Sequence, residues 1–83
     1  MVYVKTKGKE ERQKLISFLK EQGYRVDKDE SRTPDEIEES NLPLEIDLTD
    51  KIYRMMGNAT CAAAAVSSGK VITAEEFFYT TLA

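Results

Sequence analysis

The fold is decided by residues 9–24, which read KEERQKLISFLKEQGY. Four apolar residues at the i, i+1, i+3, i+4 spacing predict an amphipathic helix over residues 9–22, namely Leu15, Ile16, Phe18 and Leu19. Gly23 stands where such a helix commonly ends in a left-handed conformation. The alternating residues 2–6 predict a strand before this helix, and residues 24–27 predict a strand after it.

The rest of the chain repeats this alternation of short elements. Residues 44–48 and 52–56 predict a hairpin, and residues 70–72 a further strand. Asn58 begins a predicted alanine-rich helix over residues 59–66. Thr73 to Glu76 form a capping box that opens a last helix, anchored by Phe77, Phe78 and Leu82. The sequence therefore predicts an α+β fold with a long first helix and two short C-terminal helices. Its sheet is small, mixed or antiparallel, with about four to five short strands.

The 83 residues are expected to form a single domain spanning 1–83. Within it, residues 28–42 are polar and acidic, and they predict a flexible loop. Thr33 followed by Pro34 indicates an N-cap with proline at the first helical position, so a helical turn over 34–39 is expected. Because Ile37 is the only apolar residue before Leu42, we expect this segment to have little to dock against.

Cysteine usage and hydropathy predict a soluble, cytoplasmic protein. The chain contains one cysteine, so no intramolecular disulfide can form, which favours a reducing compartment. The first residues lack the apolar run of a signal peptide. The longest apolar run, residues 61–66, is far shorter than the roughly 18 residues that a membrane span needs.

The residues that most often carry catalysis are missing. Histidine is absent, which removes the usual general base near neutral pH and the commonest metal ligand. Cys61, set among alanines, is expected to be a buried, inert thiol. The four glycines form no phosphate-binding loop, and the carboxylates at 27–30 and 45–47 are interpreted as solvated. We therefore predict no catalytic residue, no metal site and no cofactor, and hence a non-enzymatic protein.

Charge is distributed unevenly, and the acidic part offers one candidate binding surface. Residues 27–50 carry ten acidic side chains against two basic ones, within a chain whose net charge is −3. A flexible anionic segment is attracted at long range to a basic groove on a partner. The candidate partner-binding residues are Asp35, Glu36, Ile37, Glu38 and Glu39. The expected partner is a protein, or a protein–nucleic acid complex, with a basic surface.

The basic part offers the alternative, because residues 1–26 carry seven basic side chains against three acidic ones. A cluster at the corner between the first strand and the first helix could follow a phosphate backbone, with tyrosines as stacking surfaces. This alternative predicts an RNA or single-stranded DNA binding module that uses Lys5, Lys7, Lys9, Arg12 and Lys14. A solvated helix face accounts for the same residues.

A third region contains Met55, Met56 and the alanine-rich helix. Methionine adapts to irregular surfaces, and small side chains let helices approach each other closely. Packing in the core explains these residues, and a homodimer through this region is the alternative. No membrane contact is expected.

Residues 18–24, FLKEQGY, and residues 70–77, KVITAEEF, follow a lysine-rich opening strand in this chain. In these features it resembles the short accessory proteins of tailed phages. Many of those proteins carry tryptophan after the Gly-Tyr pair, whereas this chain has Arg25. The resemblance implies a small phage protein that inhibits or modulates host machinery, such as a defence nuclease, a toxin or a polymerase, in the host cytoplasm.

Overall fold

Five short strands and four helices alternate along the chain. The computed structural model describes residues 1–82, apart from the side chains of Ala59 and Leu82. The strands are β1 (Val2–Lys5), β2 (Arg25–Val26), β3 (Leu44–Asp47), β4 (Ile52–Met55) and β5 (Val71–Thr73). The helices are α1 (Lys9–Glu21), α2 (Pro34–Glu39), α3 (Ala59–Ser67) and α4 (Ala74–Leu82). The predicted α+β class is confirmed, although α1 has only 13 residues.

The strands form one mixed sheet in the order β2-β4-β3-β1-β5. The predicted hairpin is confirmed, because β3 and β4 pair antiparallel. β1 pairs antiparallel with β3 on one side and parallel with β5 on the other. β2 pairs parallel with β4 at one edge of the sheet. The first strand of the chain therefore lies inside the sheet, between strands that come much later in the sequence.

One face of the sheet carries the core. Opposed residues in paired strands share a face, so Val4, Leu44 and Met55 form one row across β1, β3 and β4. Ile46 and Tyr53 form a second row, and all five side chains are buried. This shared burial fixes the register, because a slip by one residue would turn the apolar side chains to the other face.

Helices α1, α2 and α4 cover that face. The stripe predicted on α1 is confirmed, since Leu15, Ile16 and Leu19 are buried in the same cluster as the sheet residues. Phe77 joins the cluster from α4, and its ring meets that of Phe18 edge to face at 6.3 Å between centroids. Thr73 caps α4 as predicted, accepting a hydrogen bond of 3.0 Å from the backbone N–H of Glu76.

Helix α3 is mostly exposed. The connections β1–α1–β2 and β4–α3–β5 join parallel strands but cross the sheet in opposite directions. Because such crossovers are right-handed, we infer that α1 and α3 lie on opposite faces. Met56 and Ala62 are buried but lie outside the core cluster. The prediction of a buried Cys61 is wrong, since this side chain is exposed.

The acidic segment 28–42 contains the predicted helix, with the predicted bounds. The expectation that this segment has little to dock against is wrong, because Ile37 is only 1% exposed and belongs to the core cluster. Leu42 packs against the same cluster. A six-residue helix whose one apolar side chain reaches the core is held by that contact. The predicted flexibility of the segment stays a prediction.

None of the helices within residues 1–82 is both long enough and apolar enough to span a membrane.

Truncation of Ile37 should therefore destabilise the whole protein. We expect Ile37→Ala to lower the free energy of unfolding by about 2–4 kcal/mol, as for other buried large-to-small changes. The matched control is Leu48→Ala, because Leu48 is 48% exposed and should cost about 0.5 kcal/mol or less. Urea unfolding followed by circular dichroism measures both. Equal effects of the two variants would contradict the docking of α2 on the core.

Candidate functional site

The acidic segment leaves the sheet at the end of β2 and remains attached to the edge of β4. The backbone N–H of Asp27 donates to the carbonyl of Tyr53 at 2.9 Å, which is the last backbone contact of the parallel pairing. Beyond it the chain turns, and the backbone N–H of Glu30 donates to the carbonyl of Asp27 at 3.0 Å. From this point side chains take over the contact with β4.

Glu30 and Arg32 form an ion pair that completes the edge of β4. Glu30 accepts hydrogen bonds from Arg32 Nε at 2.9 Å and from the backbone N–H of Met55 at 2.9 Å. Arg32 donates in turn to the carbonyls of Met55 at 2.7 Å and Met56 at 2.8 Å. The Glu30 carboxylate and two N–H donors of Arg32 thus pair with the backbone groups of Met55 and Met56 that a longer β2 would have paired with. We call this pair the Glu30–Arg32 clamp.

The clamp depends on an ionised carboxylate. The Glu30 side chain is 2% exposed, and burial alone would raise its pKa. The hydrogen bonds from Arg32 and from the backbone of Met55 outweigh burial, so the pKa of Glu30 lies below its ordinary value. A depressed pKa means that the folded state favours the charged form of this group.

Helix α2 follows the clamp and begins with a complete capping box. The Thr33 hydroxyl accepts from the backbone N–H of Glu36 at 3.2 Å. The Glu36 carboxylate accepts from the backbone N–H of Thr33 at 3.1 Å, and Pro34 occupies the first turn. These contacts explain why so short and acidic a segment is helical.

Arg12, a residue of α1, binds the C-terminal part of α2. Its side chain is 0% exposed, and it reaches from α1 to two backbone carbonyls. Nε donates to the carbonyl of Ile37 at 2.9 Å, and Nη1 donates to that of Leu42 at 2.6 Å. These carbonyls lie near the end of α2 and before β3, where a helix leaves acceptors unsatisfied. One cation therefore ties α1 to the end of α2 and to the start of β3.

The Arg12 guanidinium is a buried cation that has no carboxylate within 4.0 Å among the described residues. Burial, and then repulsion from Arg32, lower the pKa of Arg12 to about 10. The group is still protonated at neutral pH. Its Nη2 is buried without a hydrogen-bond partner in residues 1–82. The backbone carbonyls thus provide the polar contacts that an acidic partner would otherwise supply.

The acidic residues predicted as a binding segment have different surroundings. Asp35, Glu36 and Glu39 are exposed, and Glu39 lies 4.0 Å from Lys9 across the α1–α2 boundary. Glu38 is half-buried, and its charge adds to burial in raising the pKa of Tyr53. Ile37 is a buried core residue, so the prediction that its side chain is part of the partner-binding surface is wrong. The segment therefore presents carboxylates outward and its apolar side chain inward.

The basic residues of the alternative site are also divided. Lys5, Lys7, Lys9 and Lys14 are exposed. The prediction that Arg12 belongs to this surface is wrong, because its side chain is buried and its guanidinium donates to the backbone carbonyls of Ile37 and Leu42. Among the tyrosines expected to stack on bases, Tyr53 is buried, whereas Tyr3 and Tyr24 are half-buried. The basic corner consists of lysines, with neither arginine nor a fully exposed ring at its centre.

The carboxylates near the sheet are engaged with their neighbours. Glu45 accepts from Arg54 Nε at 2.6 Å, and Asp27 lies 4.0 Å from Arg54 Nη1. Asp47 accepts two backbone N–H bonds from the following turn. Within residues 1–82 no group of three or more acidic or cysteine side chains is arranged to hold a metal ion.

Comparison of the chain with protein-family models, with curated proteins and with solved structures gave no match. The fold is therefore described by its own strand order, and the resemblance to phage accessory proteins stays a prediction.

Sequence reasoning missed Arg12 and the clamp as structural contacts. A signal for Arg12 was present, because positions 12, 15, 16 and 19 follow the spacing of one buried helix face. An arginine on such a face must find acceptors, which predicts a contact with backbone outside α1. The clamp has no comparable signal, because its partners Met55 and Met56 lie more than twenty residues away.

Removal of the Arg12 guanidinium should destabilise the protein strongly. We expect Arg12→Met, which keeps an unbranched apolar stem but removes the guanidinium donors, to lower the free energy of unfolding by about 2–4 kcal/mol. The two carbonyls would lose their donors in a buried place. Arg25→Met is the matched control, since Arg25 is exposed on β2 and should change stability little. Urea titration that gave equal midpoints for both variants would contradict this assignment.

Acid should weaken the clamp. Because the pKa of Glu30 is depressed in the folded state, its contribution is complete above the ordinary pKa of about 4.3 and is lost as pH falls through the folded value. Glu30→Gln should cost about 1–3 kcal/mol at neutral pH. Its deficit relative to the wild type should shrink as pH falls below about 4. Urea unfolding at several pH values measures this, with Glu75→Gln as an exposed control. A deficit independent of pH would contradict it.

Proposed function

We propose that this chain is a non-enzymatic interaction protein that binds a basic surface on another macromolecule through the exposed carboxylates of α2. The observation that supports this proposal is the anchoring of α2 by Arg12. A buried cation, a capping box and a core side chain all hold a helix whose outward residues are acidic. So many anchors on so short a helix favour a role for the surface that it presents.

Anchoring matters physically because binding costs entropy. A helix that is already formed and attached loses less conformational freedom on binding than a loose acidic tail does. The carboxylates of Asp35, Glu36 and Glu39 would be held at fixed spacing, so that they meet a basic groove as a pattern. Their field also attracts a basic partner at long range and raises the rate of association, an effect that salt reduces.

The partner class follows from charge and from the resemblance to phage accessory proteins. Basic grooves are typical of proteins that bind nucleic acids, since lysine and arginine neutralise phosphates. A helix that presents carboxylates would compete for such a groove. We therefore propose a host nuclease, toxin or polymerase-like protein as the target, with inhibition or modulation as the result.

The alternative is binding of RNA or single-stranded DNA at the basic corner. The exposed side chains of Lys5 and Lys7 favour it. Two observations weigh against it, since Arg12 is buried and Lys9 lies near the carboxylate of Glu39. Charge reversal and nuclease treatment distinguish this alternative from binding through α2.

Charge reversal on α2 tests the proposal. We expect Asp35→Lys combined with Glu39→Lys to weaken capture of the partner from a lysate of the source cells by about tenfold or more. Both side chains are exposed, and neither belongs to the capping box. The matched control is Asp50→Lys with Glu75→Lys, which makes the same change in net charge and also alters one first-turn acid. Circular dichroism verifies folding, and mass spectrometry identifies the captured protein.

Two further measurements distinguish a protein partner from a nucleic acid. Under the proposal, nuclease treatment of the lysate leaves capture intact, and Lys5→Glu with Lys7→Glu does not reduce it. Loss of capture in both of those measurements would instead establish the nucleic-acid alternative. Equal losses for the α2 variant and its charge-matched control would refute a specific role of α2.

A further inference from the structure

A groove of about 530 Å³ runs between α1 and α4, away from the acidic surface of α2. Its apolar part is formed by Phe18 and Phe78, whose rings meet edge to face at 5.3 Å between centroids. Both rings are half-buried. The groove is completed by three exposed residues of α1, namely Lys14, Ser17 and Glu21.

The charges beside the groove are arranged symmetrically about its centre. Lys14 and Glu21 are separated by two helical turns, about 10.5 Å along the axis, so they lie on the same side of α1. Ser17 and Phe18 stand midway between them. If a second α1 lies antiparallel across this midpoint, each Lys14 faces the Glu21 of the other copy. Each small Ser17 then faces the Phe18 ring of the other copy, so the surface is complementary to itself.

The position of Glu21 adds an independent argument. Glu21 lies in the last turn of α1, where the helix macrodipole disfavours a negative charge. Neither Lys14 nor Glu21 has an ion-pair partner within 4.0 Å among the described residues. A lysine from a second copy would offset the unfavourable charge at this end of the helix.

We propose that this groove is the interface of a homodimer in which α1 packs antiparallel against α1 of a second copy across a twofold axis. Such an interface uses one patch twice, which is the commonest arrangement in oligomers. It differs from the region of Met55 and Met56, which the sequence suggested and in which both side chains are buried. It also leaves α2 outside the groove, so that each copy can still present its carboxylates.

Charge swapping tests this interface by sedimentation equilibrium of the full chain from about 10 µM to about 1 mM, a range in which weak dimers dissociate. Lys14→Glu alone, or Glu21→Lys alone, places like charges opposite each other twice and should weaken dimerisation by about tenfold or more. An equimolar mixture of the two variants restores opposite charges at both positions. We therefore expect the mixture to form heterodimers about as tightly as the wild type dimerises.

The control is Lys20→Glu, which reverses a charge on α1 outside the groove and should leave dimerisation unchanged. Circular dichroism shows whether each variant is folded, and the mixture tests the interface even where a single variant is less stable. A wild type that stays monomeric at about 1 mM would overturn the proposal. So would a mixture that fails to associate, or a Lys20→Glu variant as weak as the groove variants.

Discussion

The burial of the Arg12 guanidinium beneath α2 is the constraint on which the surrounding structure depends. A buried cation must keep its hydrogen bonds, and here the acceptors are backbone carbonyls from a segment far along the chain. The hydrogen bonds to these two carbonyls hold the end of α2 and the residues just before β3 in place. Because β3 lies at the centre of the sheet, between β1 and β4, this contact also fixes how the helical layer sits on the strands.

Charged side chains therefore do two kinds of work in this protein. Arg12, Glu30 and Arg32 turn inward and bind backbone groups that regular secondary structure leaves free. Lys5, Lys7 and the exposed carboxylates of α2 turn outward, where they determine which surfaces attract each other. One-third of the residues of this chain are charged, and some of those charges attach the acidic segment to the core instead of facing solvent.

The parts of the fold that the sequence predicts are those specified by neighbouring residues. The stripe of α1, the Thr33–Pro34 start of α2 and the alternation of residues 44–48 all depend on contacts within a few positions. The strand order, the burial of Ile37 and the exposure of Cys61 depend on residues brought together by the whole chain. Arg12 stands between these cases, because its place on the buried stripe was visible and its acceptors were not. At the acidic site the carboxylates were predictable, and their support was not.

The position of β1 in the sheet affects how the protein folds. Val4 is opposed by Leu44 on one side and by Ile72 on the other. The strand β1 can therefore pair only after β3 and β5, which come much later in the sequence, have been synthesised. Closing such long loops costs conformational entropy before the contacts between the strands stabilise the structure. This cost slows folding in proteins of high contact order. During synthesis on the ribosome, α1 and the β3–β4 hairpin can form first. The sheet is completed only when β5 has emerged.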